Sequence, residues 1–206
     1  MDLQFYGANC LSFTHKGIRI VLDDNLAELG GKSITKADDV CLFTAPHDMS
    51  AGRIKFDGPG EYEVGDISVV GIPARAHIDE VKQQTATMFK LVVGELTVLV
   101  TGHIYPELSE SQLEKIGMVD VLIMPVGGNG YTLDPTGGLK LIKMIEPKMV
   151  IPTHYADKML LLPVPQQDLA HALSELGMEP KETISKLKLK ANELSDVTQL
   201  VVLEKS

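Results

Sequence analysis

Four of the six histidines in this chain follow directly on short apolar runs; they are His47, His77, His103 and His154. The runs are rich in β-branched residues and are closed by Gly or Pro, which is typical of buried strands. Layered sheet folds carry their functional groups on the loops at strand ends. Imidazole is also the commonest side-chain metal ligand. The pattern therefore indicates that the four side chains can converge on one metal site.

The elements that must position these histidines come from the same hydrophobic pattern. In the first half it predicts strands at 3–6, 11–14, 18–22, 39–44, 61–64, 66–72, 87–93 and 96–101. In the second half it predicts helices at 109–117, 134–146 and 166–177, and strands at 120–125, 148–152, 183–190 and 198–203. Strands first and β-α alternation later predict an α/β fold of two sheets with helices outside.

Composition narrows the class of protein. The chain has 206 residues, of which 44% are hydrophobic and 23% charged, as in ordinary globular proteins. No apolar run approaches the roughly 20 residues that a membrane span needs. The first residues lack the pattern of a signal peptide, so we expect a cytoplasmic protein that does not bind membranes. Cys10 and Cys41 are expected to be buried free thiols.

The net charge argues against nucleic acid as a partner. The formal charge is −9, and binding to a phosphate backbone requires clustered Lys and Arg. The strongest basic run, at 186–190, alternates Lys with Leu, which favours a strand with one wet face. Unpaired outer strands of the predicted sheets make a homo-oligomer a reasonable expectation.

Several local motifs, taken in order, resemble the metallo-β-lactamase fold. The similarity covers roughly residues 3 to 156 and is greatest to the small hydrolases near the ascorbate-6-phosphate lactonases. It rests on FYGANC at 5–10, GPGEYEV at 58–64, VDVLIMPVGG at 119–128 and MVIPTHY at 149–155. The resemblance implies a four-layer αββα sandwich that forms a single domain over residues 1–206.

The defining motif of that family is degenerate in this chain. The family carries Thr-His-x-His-x-Asp-His after a strand, and this motif supplies ligands to two adjacent zinc ions. Here only the second histidine is retained, as His47. Ala45, Met49 and Ser50 replace the other three ligands, and none of these side chains is a suitable zinc ligand. A two-metal centre is therefore not expected.

The resemblance also assigns the other three histidines. His77 matches a ligand of the first metal and His154 matches the final ligand of the second. His103 stands where the family has an aspartate that bridges both metals. One zinc or other divalent transition metal ion could then be held by His47, His77 and His103, with His154 as a fourth ligand or a proton shuttle. The alternative is that no metal binds and the histidines are hydrogen-bonded pocket residues.

Three further residues are candidates for substrate binding. Arg75 stands two residues before His77 and could bind a carboxylate or phosphate through two hydrogen bonds. Asn129 and Tyr131 belong to a glycine-rich loop that borders the cleft in the resembling branch, and its backbone N–H groups could meet an anion. The alternative is a connection that only leads into the next helix.

Two functions remain open at this point. The first is a single-metal hydrolase that acts on a small anionic ester, lactone or phosphoester. The second is a catalytically inactive descendant of the fold that serves as a binding or assembly module. The sequence identifies neither the substrate nor any residue with a defined catalytic role.

Overall fold

The computed structural model describes residues 1–48, 52 and 54–206. Two positions of the degenerate motif, Met49 and Ser50, lie outside the described residues. The described chain forms two β-sheets that pack face to face, with three α-helices against the second sheet.

The first sheet is built mainly from the N-terminal strands. In spatial order it contains β13 (Leu187–Lys188), β1 (Asp2–Gly7), β2 (Cys10–His15), β3 (Ile18–Leu22), β4 (Val40–Leu42) and β5 (Ile54–Phe56). Strands β1 to β3 form an antiparallel meander, whereas β4 and β5 run parallel to β3. The connection between β1 and β2 turns at Ala8, which has a φ of 48°.

The second sheet is larger and changes from parallel to antiparallel. Its spatial order is β12 (Pro180–Ile184), β14 (Gln199–Leu203), β11 (Met149–Thr153), β10 (Val121–Pro125), β9 (Leu96–Val100), β8 (Ala86–Val93), β7 (Ile67–Ala74) and β6 (Gly60–Val64). The strands from β12 to β9 are parallel, and those from β9 to β6 are antiparallel. The carboxyl ends of β9, β10 and β11 therefore lie side by side at one edge.

Period-two alternation divides the second sheet between two cores. Ile123 and Ile151 face the first sheet, and Leu122 and Val150 face the helices. Burial on both faces explains why these strands read as continuous apolar runs in the sequence. The helices are α1 (Glu110–Ile116), α2 (Pro135–Ile145) and α3 (Leu169–Leu176).

Polar caps set where the helices begin. Ser109 forms a capping box with Gln112 at α1, and the Asp134 side chain accepts from the Gly137 N–H at α2. Asp168 caps α3, so this helix begins three residues later than the predicted 166. Gln166 and Gln167 therefore lie before the helix, in the segment that leads to its cap.

The outer face of the first sheet is covered by loops. Leu26 and Leu29 from the segment after β3 pack with Leu160 onto Val21 and Cys10. The three helices of the described chain all pack on the second sheet. The predicted α/β sandwich of two sheets is confirmed as the architecture, and in the described chain loops take the place of the outer helical layer on this side.

The remaining differences from prediction concern the C-terminal strands. The predicted strand 183–190 is wrong as one element, because the chain leaves the second sheet after Ile184 and enters the first at Leu187. The short strand β5 was not predicted.

Both predicted free thiols, Cys10 and Cys41, are buried. In the described part of the chain, no helix is long and apolar enough to cross a membrane. The single-domain prediction for 1–206 stays a prediction.

Candidate functional site

The strand ends of both sheets surround one cavity of about 200 Å³. Its lining combines the β1–β2 turn, the segments after β3 and β4, and the loops that carry three of the predicted histidines. The lining residues are Ala8, Asn9, Asp23, Asn25, Glu28, Phe43, Thr44, Ala45, Pro46, His47, His103, Tyr131 and His154. The structure thus brings His47, His103 and His154 together at this cavity.

His154 is held in a strained backbone conformation at the end of β11. Its φ is 48°, in the left-handed region that non-glycine residues seldom adopt. Its N–H donates to the Ala8 carbonyl at 2.8 Å, and the Thr153 hydroxyl donates to Asn9 Oδ1 at 2.8 Å. These contacts with the β1–β2 turn fix the backbone at His154, whose buried side chain lines the cavity.

His103 is positioned by a glycine that approaches the first sheet closely. Gly102 has a φ of 62°, and a Cβ atom at this position would lie 2.4 Å from the Thr44 side chain. The absence of a side chain therefore lets the chain after β9 pass beside the end of β4. The next residue, His103, is directed to the cavity.

The His103 and His154 rings contact each other edge to face. Their centroids are 4.4 Å apart and their planes are inclined by 83°. The Tyr131 ring lies 5.0 Å from His103 and 6.0 Å from His154, so it completes an aromatic cluster. The result is a pair of imidazoles with an aromatic wall.

Burial keeps both imidazoles neutral. Removal from water lowers the pKa of His154 to about 4, and interactions of the ring with its own backbone and with the Gln166 side chain only partly oppose this effect. The pKa of His103 lies well below its ordinary value because of burial and the nearby His154 and His77 rings. Neutral imidazole is the form that coordinates metals.

His77 lies behind His103 and not in the cavity lining of the described chain. Its backbone N–H donates to the His103 carbonyl at 2.7 Å, and its ring lies 5.9 Å from that of Tyr105. Burial lowers the His77 pKa, whereas the Asp134 carboxylate acts in the opposite direction.

His47 lines the cavity after the end of β4, which belongs to the first sheet. His103 and His154 follow strands of the second sheet. Its ring stacks on Phe43 with centroids 4.2 Å apart, and its Nε2 is 3.7 Å from Glu28 Oε1. The Lys55 ammonium donates to the His47 carbonyl at 2.5 Å. Lys55 thus contacts the His47 backbone, and Phe43 and Glu28 lie beside its ring.

Asp23 is a residue of the site that the sequence reasoning missed, since it was taken only as the end of a strand. It is buried, has a φ of 48°, and accepts from the Thr44 N–H at 2.7 Å and the Thr44 hydroxyl at 2.6 Å. Burial raises its pKa to about 6 in spite of these hydrogen bonds. The available signal was its position directly after the apolar run of β3, which is the same strand-end position that singled out the histidines.

The three predicted substrate-binding residues differ in position. Tyr131 lines the cavity. Arg75 donates twice to the Asp79 carbonyl, at 3.0 and 3.1 Å, and its guanidinium lies 4.0 Å from the Tyr105 ring centroid. The Asn129 amide donates to the Pro165 carbonyl. Arg75 and Asn129 thus have internal partners, and substrate binding stays a prediction for all three residues.

The imidazole nitrogens of the site are of a donor type that suits a divalent transition metal ion. The Nδ1 atoms of His77, His103 and His154 are buried and have no hydrogen-bond partner among the described residues. Orphaned buried nitrogens call for a ligand or water. However, residues 1–48, 52 and 54–206 contain no group of three or more His, Cys, Asp or Glu side chains arranged to hold a metal ion. A four-histidine site therefore stays a prediction, and what the structure presents is a facing pair.

Comparison with known proteins agrees with this architecture. Residues 2–154 match the family model described as a beta-lactamase superfamily domain. A UPF0173 metal-dependent hydrolase of Carboxydothermus hydrogenoformans is 39% identical over 137 residues, which are 63% of this chain. The match spans 58% of the length of that relative.

Solved structures show the same fold at lower identity. A Thermotoga maritima protein, described as a candidate Zn-dependent hydrolase of the metallo-β-lactamase superfamily, superposes with a TM-score of 0.78. The two chains are 24% identical, and 98% of each is covered. The metallo hydrolase Igni18 of Ignicoccus hospitalis gives a TM-score of 0.63 at 15% identity, with 99% of this chain and 95% of that chain covered.

Proposed function

Because this chain belongs to the metallo-β-lactamase superfamily, we propose that it is a hydrolase that uses a single divalent transition metal ion. The observation that carries the proposal is the facing pair of His103 and His154, both of them neutral imidazoles. The name of the Carboxydothermus relative, a metal-dependent hydrolase, supports the same class of activity.

His103 and His154 would hold the ion, and His47 and His77 are the candidates for a third ligand. His47 lines the same cavity, whereas the His77 backbone N–H donates to the His103 carbonyl. Three protein ligands and one open position are typical of catalytic zinc. A bound ion would supply Lewis acidity and lower the pKa of water to near neutrality.

The chain itself would supply orientation and exclusion of water. Tyr131 and Phe43 form apolar walls, and Asp23 fixes the Thr44 backbone at the start of the segment that carries His47. No Lys or Arg is among the described residues that line the cavity, whereas Asp23 and Glu28 are. We therefore favour a small ester or lactone with at most one negative charge over a phosphoester.

A hydrolysis assay tests this proposal. Small lactones, carboxylic esters and phosphoesters would be offered to the protein with zinc, manganese or nickel. We expect turnover of an ester or lactone that falls by more than roughly a hundredfold in His103→Ala and His154→Ala, because even the outer partners of metal ligands are worth 10–100-fold. His171→Ala is the matched control, since His171 is exposed on α3 and pairs with Glu175. Turnover that is the same in all three variants would contradict the proposal.

A second candidate is a binding module without catalysis. It is favoured by the lack of a three-ligand group within the described part of the chain. On this alternative the cavity binds a small molecule directly through its imidazoles and Tyr131. Failure of every metal to support turnover, together with retained ligand binding, would select it.

The other expectations also stand as proposals. They are a cytoplasmic location, a small anionic molecule as partner, no binding of nucleic acid or membrane, and assembly into a homo-oligomer.

A further inference from the structure

Gln166 reaches the site from a segment that the strand-end pattern did not include. The chain before α3 is held between two others: the Gln167 N–H donates to the Gly127 carbonyl at 2.9 Å, and the Ala156 N–H donates to the Gln167 carbonyl at 2.8 Å. This double pairing fixes the backbone of Gln166 and Gln167 beside the residues that follow β10 and β11.

The Gln166 side chain is held in one orientation. Its Nε2 donates to the Val164 carbonyl at 2.9 Å, which distinguishes the nitrogen from the oxygen of the amide. A Cβ atom on Gly127 would lie 2.2 Å from Gln166 Oε1 and 2.2 Å from the His154 carbonyl oxygen. The amide oxygen therefore packs against the end of β11 through the gap that Gly127 leaves.

Two buried polar atoms near this contact, one an acceptor and one a possible donor, lack hydrogen-bond partners in the described chain. Gln166 Oε1 is an acceptor and His154 Nδ1 is a nitrogen that can carry a proton; both are buried, and among the described residues neither meets a hydrogen-bond partner, the other included. Buried polar atoms without partners are costly. Gln166 also favours the protonated form of His154 and so acts on its pKa against burial, as an acceptor facing the ring would.

We propose that Gln166 is a positioning residue that accepts a hydrogen bond from His154 Nδ1–H and thereby fixes the tautomer of this imidazole. When Nδ1 carries the proton, the free lone pair is on Nε2, so Nε2 is the atom that can coordinate a metal ion. Partners of this kind orient metal-binding histidines in general and raise their basicity.

The expected effect of Gln166 on metal binding rests on the proposed function, whereas the predicted tautomer of His154 does not. The ring of His154 stays neutral near pH 7, so its tautomer can be read in metal-free protein by two-bond ¹H–¹⁵N correlation spectra. Gln166→Met removes the acceptor at similar size, and Gln166→Glu retains it. Gln167→Met is the matched control, because its side chain lies toward Gly128 instead.

We expect the His154 proton on Nδ1 in the unmodified chain, in Gln166→Glu and in Gln167→Met, and a shift toward Nε2–H in Gln166→Met. The affinity for zinc should fall by roughly 10–100-fold in Gln166→Met alone. A proton on Nε2 in the unmodified chain, or a tautomer that Gln166→Met leaves unchanged, would overturn the inference. If the tautomer responds but no variant binds zinc, the proposed function fails and the role of Gln166 stands.

Discussion

The imidazoles of His103 and His154 meet edge to face, with ring centroids 4.4 Å apart, although they lie 51 positions apart in the chain. Parallel pairing of β9, β10 and β11 brings them together, because each follows the carboxyl end of a strand in the same sheet. Two neutral imidazoles in such contact are the central feature of this site.

Acidification should destabilise the protein partly through His154. The pKa of this ring is lowered to about 4 in the folded chain, against an ordinary value near 6.5. On acidification the unfolded chain binds the proton first, so this contribution to the free energy of unfolding is lost as the pH falls from about 6.5 to about 4. His154→Gln should lack this loss, on the order of 2–3 kcal/mol. Urea unfolding at pH 7, 5.5 and 4.5 measures it, and equal pH slopes in both proteins would refute it.

Ionisation of Asp23 should give the opposite dependence of folding stability on pH. Its pKa is raised to about 6 by burial, so the folded chain holds the proton over a range in which the unfolded chain has released it. Stability from this group is therefore present below about pH 4 and is lost as the pH rises to about 6.

The comparison of Asp23→Asn with the unmodified chain isolates this effect. The variant should lose less stability between pH 4 and pH 7, by about 2 kcal/mol, and denaturant unfolding at the two values measures the difference. If the variant loses as much stability as the unmodified chain over this interval, ionisation of Asp23 does not lower the free energy of unfolding, which would contradict the prediction.

Gly102 should be sensitive to substitution for two separable reasons. Its left-handed backbone costs about 1 kcal/mol for alanine, and the contact with Thr44 adds an overpacking cost of about 1–3 kcal/mol. Gly94→Ala is the matched control, because Gly94 has a φ of 59° and open space around its Cβ position. Thermal or urea unfolding should show the larger loss in Gly102→Ala, and equal losses would contradict the close approach.

More of the fold than of the site could be predicted from the sequence. Strands such as β10 and β11 are buried on both faces, so they appear as unbroken apolar runs that any reading of hydrophobicity detects. The boundary of α3 was placed too early because Asp168, and not the preceding glutamines, supplies the cap.

Convergence at the site was predictable only in part. Strand-end position brought His47, His103 and His154 to one cavity but could not show that His77 lies behind it. Side-chain partners are set by loops whose paths the pattern does not determine. Arg75 therefore turned out to bind the Asp79 carbonyl, and Asp23 and Gln166 went unnoticed.

Metal content measured on protein without a histidine tag tests the central claim most directly. After incubation with zinc, nickel or manganese and removal of free ions, we predict about one ion per chain, retained in His171→Ala and lost in His103→Ala and His154→Ala. Loss in His47→Ala or in His77→Ala would identify the third ligand. Protein that retains no metal under any of these conditions, or that retains it equally in His103→Ala and His154→Ala, would contradict the account.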